Sequence, residues 1–90
     1  MAIAAVIAKI MPISPTTNLK KIEEKAKLEM EKHGAKNISF TEEPIAFGLM
    51  AIKLKMAWPE EKSTEIIESS LSKIKDVSSA VIDDYRRAFG

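Results

Sequence analysis

The chain has 90 residues, 46% of them hydrophobic and 30% charged, a balance typical of a soluble globular protein. This length suits a single domain over residues 1–90, with one core layer. Fourteen basic residues oppose thirteen acidic ones, so a net charge of +1 provides no long-range field for holding nucleic acid by its phosphates. The absence of cysteine excludes disulfides, thiolate metal sites and thiol nucleophiles.

The first predicted element is a strand from Ala2 to Met11, which is apolar on both faces as central strands are. Pro12 and Pro15 end it, because proline cannot donate a hydrogen bond to a neighbouring strand. The same segment lacks a basic leader and is too short to span a bilayer. We therefore expect a cytoplasmic protein with no membrane partner.

Two helices follow the hydrophobic periodicity. The first begins at Thr17 or Asn18, either of which can cap it, and ends at a left-handed Gly34. The second begins at Ser63 or Thr64. Both present an apolar stripe at helical spacing, formed by Leu19, Ile22, Ala26 and Met30 in the first and by Ile67, Leu71 and Ile74 in the second.

A short strand is predicted over Lys36–Thr41, with Ile38 and Phe40 on one face. We expect a turn at residues 42–44, and then a long strand that begins at Ile45. One face of that strand is apolar throughout and predicts the core, with Met50, Ile52, Leu54, Met56 and Trp58. The other face begins apolar and ends basic, with Ile45, Phe47, Leu49, Ala51, Lys53 and Lys55.

Phe47 is the least ordinary residue of this segment, because Pro44 and Gly48 bracket it. We expect its ring where the chain leaves a turn, with Pro44 excluding a ladder hydrogen bond and Gly48 permitting a close approach. Two interpretations stay open. Ile45, Phe47 and Leu49 either pack at a sheet edge or form an exposed surface that meets a partner.

The last predicted strand runs from Val77 or Ser79 to about Arg86, with Ala80 and Ile82 pointing inward. The element order predicts an α+β fold, the ferredoxin-like βαββαβ sandwich, with a four-stranded antiparallel sheet and both helices on one face. The first and third strands are then central neighbours. Their helix-free face would carry Ile3, Ile7, Phe47, Leu49, Lys9, Lys53 and Lys55.

The sequence offers little for catalysis or for cofactors. His33 is the only histidine, so a metal site built from several histidines cannot form. Phosphate-binding glycine motifs are missing, and the sheet lacks the paired aromatic residues that RNA-binding sheets of this type need. We expect no catalytic residue, no metal, no cofactor and no direct contact with nucleic acid.

The terminal segment Asp83–Arg87 combines two acidic residues, a tyrosine and two arginines. Such a cluster is either a solvated tail or a pair of guanidinium groups held by a strand end. In the second case Arg86 and Arg87 could bind phosphate or carboxylate oxygens.

Four segments carry a resemblance that extends along the chain: KIMPISP at residues 9–15, EEPIAFGL at 42–49, STEIIESSLSKI at 63–74 and DVSSAVIDDYRR at 76–87. Together they resemble the guanine nucleotide exchange domain of the archaeal elongation factor 1-beta family. The resemblance implies a ferredoxin-like translation factor that promotes exchange of GDP for GTP on elongation factor 1-alpha. That GTPase, which carries Mg²⁺, would be the partner.

The resemblance also implies roles for particular residues. Phe47, with Pro44, Ile45 and Gly48 around it, would dock into the GTPase. A basic residue near the C-terminus, Arg87 or its neighbour Arg86, would reach the magnesium and phosphate site, and which of the two inserts stays open. We expect the ring and the guanidinium to project from the same flank of a monomeric domain.

A second hypothesis belongs to another class. The domain would be a small ligand-sensing or self-associating module, in which the apolar outer face of the first and third strands buries against a second copy. Ile7 and Leu49 would lie in that interface.

Overall fold

A computed structural model describes residues 2–88, and its elements follow the predicted order. They are β1 (Ile3–Pro12), α1 (Leu19–Lys32), β2 (Lys36–Pro44), β3 (Met50–Pro59), α2 (Glu65–Ser72) and β4 (Val77–Ala88). The four strands form one antiparallel sheet in the order β2-β3-β1-β4. The ferredoxin-like α+β fold is thereby confirmed, with β1 and β3 as the central neighbours.

The core lies between one face of the sheet and the two helices. Alternate residues of β1 and β3 point into it, because successive side chains of a strand face opposite sides. The most deeply buried large side chains are Val6, Ile10, Ile22, Met30, Ile52, Leu54, Trp58, Ile67 and Leu71. Both predicted helix stripes and the predicted core face of β3 supply this cluster, except that Leu19 only packs against it and Met50 is half-buried outside it.

The helix ends are fixed by short polar contacts. At α1, the Asn18 side chain accepts a hydrogen bond from the Lys21 amide at 3.3 Å, which makes Asn18 the cap rather than Thr17. At α2, the Ser63 hydroxyl accepts from the Glu65 amide at 3.1 Å, whereas Thr64 makes no side-chain cap. Gly34 follows α1 with φ of 92°, the left-handed stop that the sequence predicted.

The boundary between β2 and β3 differs from the prediction. β2 continues through the supposed turn at residues 42–44, where Glu42 pairs with Ile52 and Pro44 with Met50. The predicted turn and the strand start at Ile45 are both wrong. Proline is tolerated at the end of an edge strand, and β2 is such an edge. The chain therefore reverses at residues 45–49 instead.

Candidate functional site

The reversal between β2 and β3, residues 45–49, is called the Phe47 loop. It contains a 3₁₀ turn over Ala46–Gly48. The Ile45 amide donates to the Leu49 carbonyl at 2.9 Å, and the Leu49 amide donates to the Ala46 carbonyl at 3.3 Å. Two backbone hydrogen bonds thus close the loop on itself, so its conformation does not depend on the phenyl ring.

Phe47 stands at the tip of this loop and is 92% exposed. Its backbone has φ of 63° and ψ of 29°, the left-handed region. For a residue with a Cβ this conformation costs about 1–2 kcal/mol, and an exposed ring gains no burial that would offset the cost. Strain of this kind clusters at functional sites. Packing of Phe47 at the sheet edge is therefore wrong, although Ile45 and Leu49 are half-buried beside it.

Gly48 adopts φ of 75°, and a Cβ added there would meet no atom within 4 Å. The prediction that Gly48 permits a close approach is therefore wrong. Glycine is favoured here because its backbone enters the left-handed region without a steric penalty. Two consecutive left-handed residues, Phe47 and Gly48, produce the sharp reversal that follows Pro44.

The helix-free face near the Phe47 loop carries a charged network. The Lys53 ammonium lies 3.1 Å from the Glu43 carboxylate and 3.2 Å from that of Asp83. The hydrogen bond to Glu43, and to a smaller extent the one to Asp83, raises the pKa of Lys53. Since Glu43, Lys53 and Asp83 belong to β2, β3 and β4, this network braces the sheet at the end from which the loop projects. Lys9 lies directly opposite Lys53, which confirms that the predicted lysines share this face.

A second electrostatic feature lies on the helix side of the same end. Burial raises the pKa of Glu23 on α1, the nearby Lys20 ammonium at 3.8 Å partly opposes this, and Glu42 on β2 raises it further. Two carboxyl groups thus share one location beneath the β2 end. Their repulsion makes this end of the molecule electrostatically less favourable at neutral pH.

The C-terminal part of β4 holds both arginines. The Arg87 Nε lies 3.0 Å from a carboxylate oxygen of Glu60, and the Arg86 Nε lies 3.1 Å from one of Asp84. The arginine side chains are 75% and 80% exposed, respectively. Both guanidinium groups are therefore carried by the end of a strand, which is the second of the two interpretations of this segment given above. Arg86, Arg87 and Glu60 together are called the arginine end.

The Phe47 loop and the arginine end lie at opposite ends of the sheet. Arg87 pairs with Ala4, which pairs with Trp58 near the end of β3, whereas Phe47 comes just before β3 begins at Met50. At the usual rise of a strand, the two sites are about 25 Å apart or more, in a molecule 40 Å long. The expectation that both project from the same flank is therefore wrong.

Glu60 is a candidate site residue that the sequence analysis did not single out. The topology could have indicated it, because the residues that follow β3 must lie beside the end of β4. Within residues 2–88 no three histidine or acidic side chains form a metal-binding group. No helix in the same range is long and apolar enough to cross a membrane.

The structure defines a small α+β domain that displays a strained aromatic ring at one end and a pair of guanidinium groups at the other. The comparisons with known proteins identify the kind. The model of the EF-1 guanine nucleotide exchange domain matches residues 5–87. The chain belongs to this family of guanine nucleotide exchange domains.

Curated relatives agree with the family model. The chain is 41% identical over 80 residues to elongation factor 1-beta of Methanocaldococcus jannaschii, a match that covers 88% of this chain and 90% of that protein. The protein of the same name from Methanococcus vannielii is 38% identical, with 88% and 92% covered. That of Pyrococcus furiosus is 34% identical, with 90% of each chain covered. The resemblance to the archaeal family is confirmed.

Proposed function

We propose that this chain promotes exchange of GDP for GTP on elongation factor 1-alpha during translation, as a monomer in the cytoplasm. Phe47 is the docking anchor, supported by Pro44, Ile45 and Gly48. Arg87, assisted by Arg86, disturbs the Mg²⁺ and phosphate site of the GTPase. The observation that carries the proposal is the 92% exposed ring on a strained backbone, in a chain of the exchange-domain family.

The Phe47 loop suits an anchor because it is already organised. Its backbone hydrogen bonds fix the direction of the ring before binding, so little conformational entropy is lost when a partner pocket encloses it. An aromatic side chain that becomes fully buried in an interface typically contributes about 2 kcal/mol or more. Docking of Phe47 therefore determines how tightly the GTPase is held.

The arginine end suits the second task because a guanidinium carries a permanent charge and binds phosphate oxygens well. Bound GDP depends on Mg²⁺ to offset its phosphate charge, so a competing cation weakens the metal and the nucleotide together. By linkage, the nucleotide weakens the grip of the exchange factor by an equal factor. Arg87 therefore acts on the release step rather than on docking.

The separation of the two ends sets the geometry of the complex. A single GTPase that meets both Phe47 and Arg87 must offer a pocket and a nucleotide site about 25 Å apart or more. The two contacts then have no shared neighbours. Their contributions should be nearly independent, as they are for sites separated by more than about 10 Å.

Release of fluorescent GDP from elongation factor 1-alpha tests the proposal, measured against the concentration of this chain. We expect Phe47→Ala to raise the half-saturating concentration about 30-fold with little change in the maximal rate, the equivalent of about 2 kcal/mol. Arg87→Ala should lower the maximal rate by a similar factor. Leu28→Ala is the matched control, because Leu28 is an exposed apolar residue on α1, remote from both sites in the chain. If both test variants match the parent, the site assignment is wrong.

Self-association is the alternative to this function. Association through the outer faces of β1 and β3 would remove the charged groups of Lys9, Lys53 and Lys55 from water, and this desolvation cost favours the monomer. Light scattering at dilute concentration separates the hypotheses. A persistent dimer that buries Ile7 and Leu49, together with no effect on GDP release, would replace the proposal.

A further inference from the structure

The contact between Arg87 and Glu60 differs from an ordinary surface ion pair. Arg87 pairs with Ala4 on β1, and Ala4 pairs with Trp58 on β3. Glu60 follows β3 by one residue, so the 3.0 Å contact reaches from the outer strand β4 across β1 to the end of β3. Within residues 2–88 it is the only ion pair that joins either arginine to a residue outside β4.

The two members of this pair are unequally exposed. The Glu60 side chain is 18% exposed, whereas that of Arg87 is 75% exposed. The Glu60 backbone is fixed as well, because its amide donates to the Ala2 carbonyl at 3.1 Å. A sheltered, fixed carboxylate therefore holds a guanidinium whose outer part lies in solvent.

Arg86 provides the contrast. Its partner Asp84 lies two positions away on the same strand, and the two side chains are 80% and 42% exposed. That pair does not tie the arginine to another element, and water competes for it more easily. Of the two arginines, only Arg87 is held by a sheltered residue of another part of the fold.

The ion pair leaves most of the Arg87 guanidinium accessible, because the side chain is 75% exposed. A guanidinium has five N–H donors, and the Glu60 carboxylate lies beside Nε, 3.0 Å away. Since Glu60 contacts the side chain at Nε, the Nη donors can meet a phosphate or carboxylate oxygen while the ion pair stays in place. Because Arg87 would otherwise lose its rotamer freedom on binding, the pair removes part of that cost in advance.

From these contacts we propose that Glu60 is a positioning residue, which holds the Arg87 guanidinium ready for an anionic oxygen of the partner GTPase. The inference rests on the proposed function. It assigns Arg87 rather than Arg86 as the inserting group. Loss of Glu60 should lower the maximal rate of GDP release about fivefold without changing the half-saturating concentration, the usual ordering cost of one long side chain.

The structural half of this inference has a direct test that does not depend on exchange. The chain contains only two arginines, so NMR shows two Nε–H signals. We expect one of them to be ordered and slow to exchange, lost in Glu60→Ala and retained in Asp84→Ala. If the Arg87 signal is as mobile in the parent as in Glu60→Ala, the pair does not position the side chain and the proposal is overturned.

A double-mutant cycle tests the functional half. Glu60→Ala should slow release in the parent but not in an Arg87→Ala background, since the two residues act as a unit. Glu60→Gln keeps an acceptor for Nε and should recover part of the rate, while Asp84→Ala serves as the control. Urea unfolding of each variant detects a general loss of stability.

The outcomes distinguish this inference from the proposed function. If Arg87→Ala slows release and Glu60→Ala does not, only the positioning role is overturned. A faster rate in Glu60→Ala would make Glu60 a restraint on Arg87, which also overturns it. If neither variant changes the rate, both the role of Arg87 and the role of Glu60 fail.

Discussion

The two ends of the sheet present their functional groups by different physical means. At the Phe47 loop, backbone hydrogen bonds and a left-handed conformation display a ring that is 92% exposed. At the arginine end, a sheltered carboxylate holds the Arg87 side chain through an ion pair. The first device costs stability, whereas the second relieves a charge that would otherwise be unpaired.

The difference has a functional meaning. An apolar ring cannot be oriented by hydrogen bonds of its own, so the backbone must hold it in place. A guanidinium has five donors and can be oriented by one of them while the others remain available. Each device therefore suits the chemistry of the group that it presents, and the two should respond differently to mutation.

The largest expected effect comes from removing both groups at once. The Phe47→Ala/Arg87→Ala variant should lose about a thousandfold in the rate at low concentration of the factor, the product of the two single effects of about 2 kcal/mol each. Measurement of GDP release for the parent, both single variants and the double variant gives the coupling energy. A double variant no worse than either single one would mean that the two ends act as one site.

Two substitutions at Phe47 should separate the energetic cost of the left-handed backbone from the effect of removing the phenyl ring. Phe47→Gly and Phe47→Ala both remove docking, but only glycine relaxes in the left-handed region. We therefore expect the glycine variant to be more stable than the alanine variant by about 1 kcal/mol in urea unfolding. Alanine and glycine at Leu28, in the middle of α1, provide the control, because there the order of stability should reverse. Equal stability of the two Phe47 variants would contradict the strained conformation.

The smallest expected effect concerns the carboxyl pair near the Phe47 loop. The pKa of Glu23 is raised in the folded state, so the folded protein holds the proton of this carboxyl group more strongly than the unfolded chain does. The resulting contribution to the free energy of unfolding is fully present below the ordinary glutamate pKa of about 4.5. It is lost as the pH rises through the higher pKa of the folded state.

Glu23→Gln should therefore stabilise the domain slightly at pH 7, and the gain should vanish at acidic pH. Urea unfolding at several pH values checks this, with Glu24→Gln, on an exposed part of α1, as the control. A gain that is the same at pH 4 and pH 7 would show that ionisation of the Glu23 carboxyl group carries no penalty in the fold.

Much of the fold could be predicted because periodicity determines which side chains are buried. The stripes on α1 and α2 and the alternation from Ile52 to Trp58 specified the core and the element order. The start of β3 could not be placed in this way, because Ile45, Phe47 and Leu49 continue the alternation although they lie in a loop. The left-handed conformation of Phe47 has no signal in its side chain, and the proline at residue 44 led to a predicted turn that lies too early in the chain.

The candidate site was only partly predictable for a topological reason. The sequence singled out Phe47 and Arg87 as candidate site residues but left open whether Phe47 is exposed, and the structure shows that both are. The prediction that both residues lie on one flank was wrong, and the topology of the predicted fold was already sufficient to exclude it. β3 and β4 each pair antiparallel with β1, so they run in the same direction. The start of β3 and the end of β4 therefore lie at different ends of the sheet. The same topological argument would have placed Glu60, which follows the end of β3, near Arg87 at the end of β4.

The dependence of GDP release on Mg²⁺ tests the division of labour between the two ends most directly. Release from elongation factor 1-alpha would be followed with the parent, Phe47→Ala and Arg87→Ala, first with Mg²⁺ in excess and then with a chelator. If Arg87 acts on the metal and phosphate site, the advantage of the parent over Arg87→Ala disappears in chelator, while its advantage over Phe47→Ala persists. Equal advantages over both variants in both conditions would contradict it.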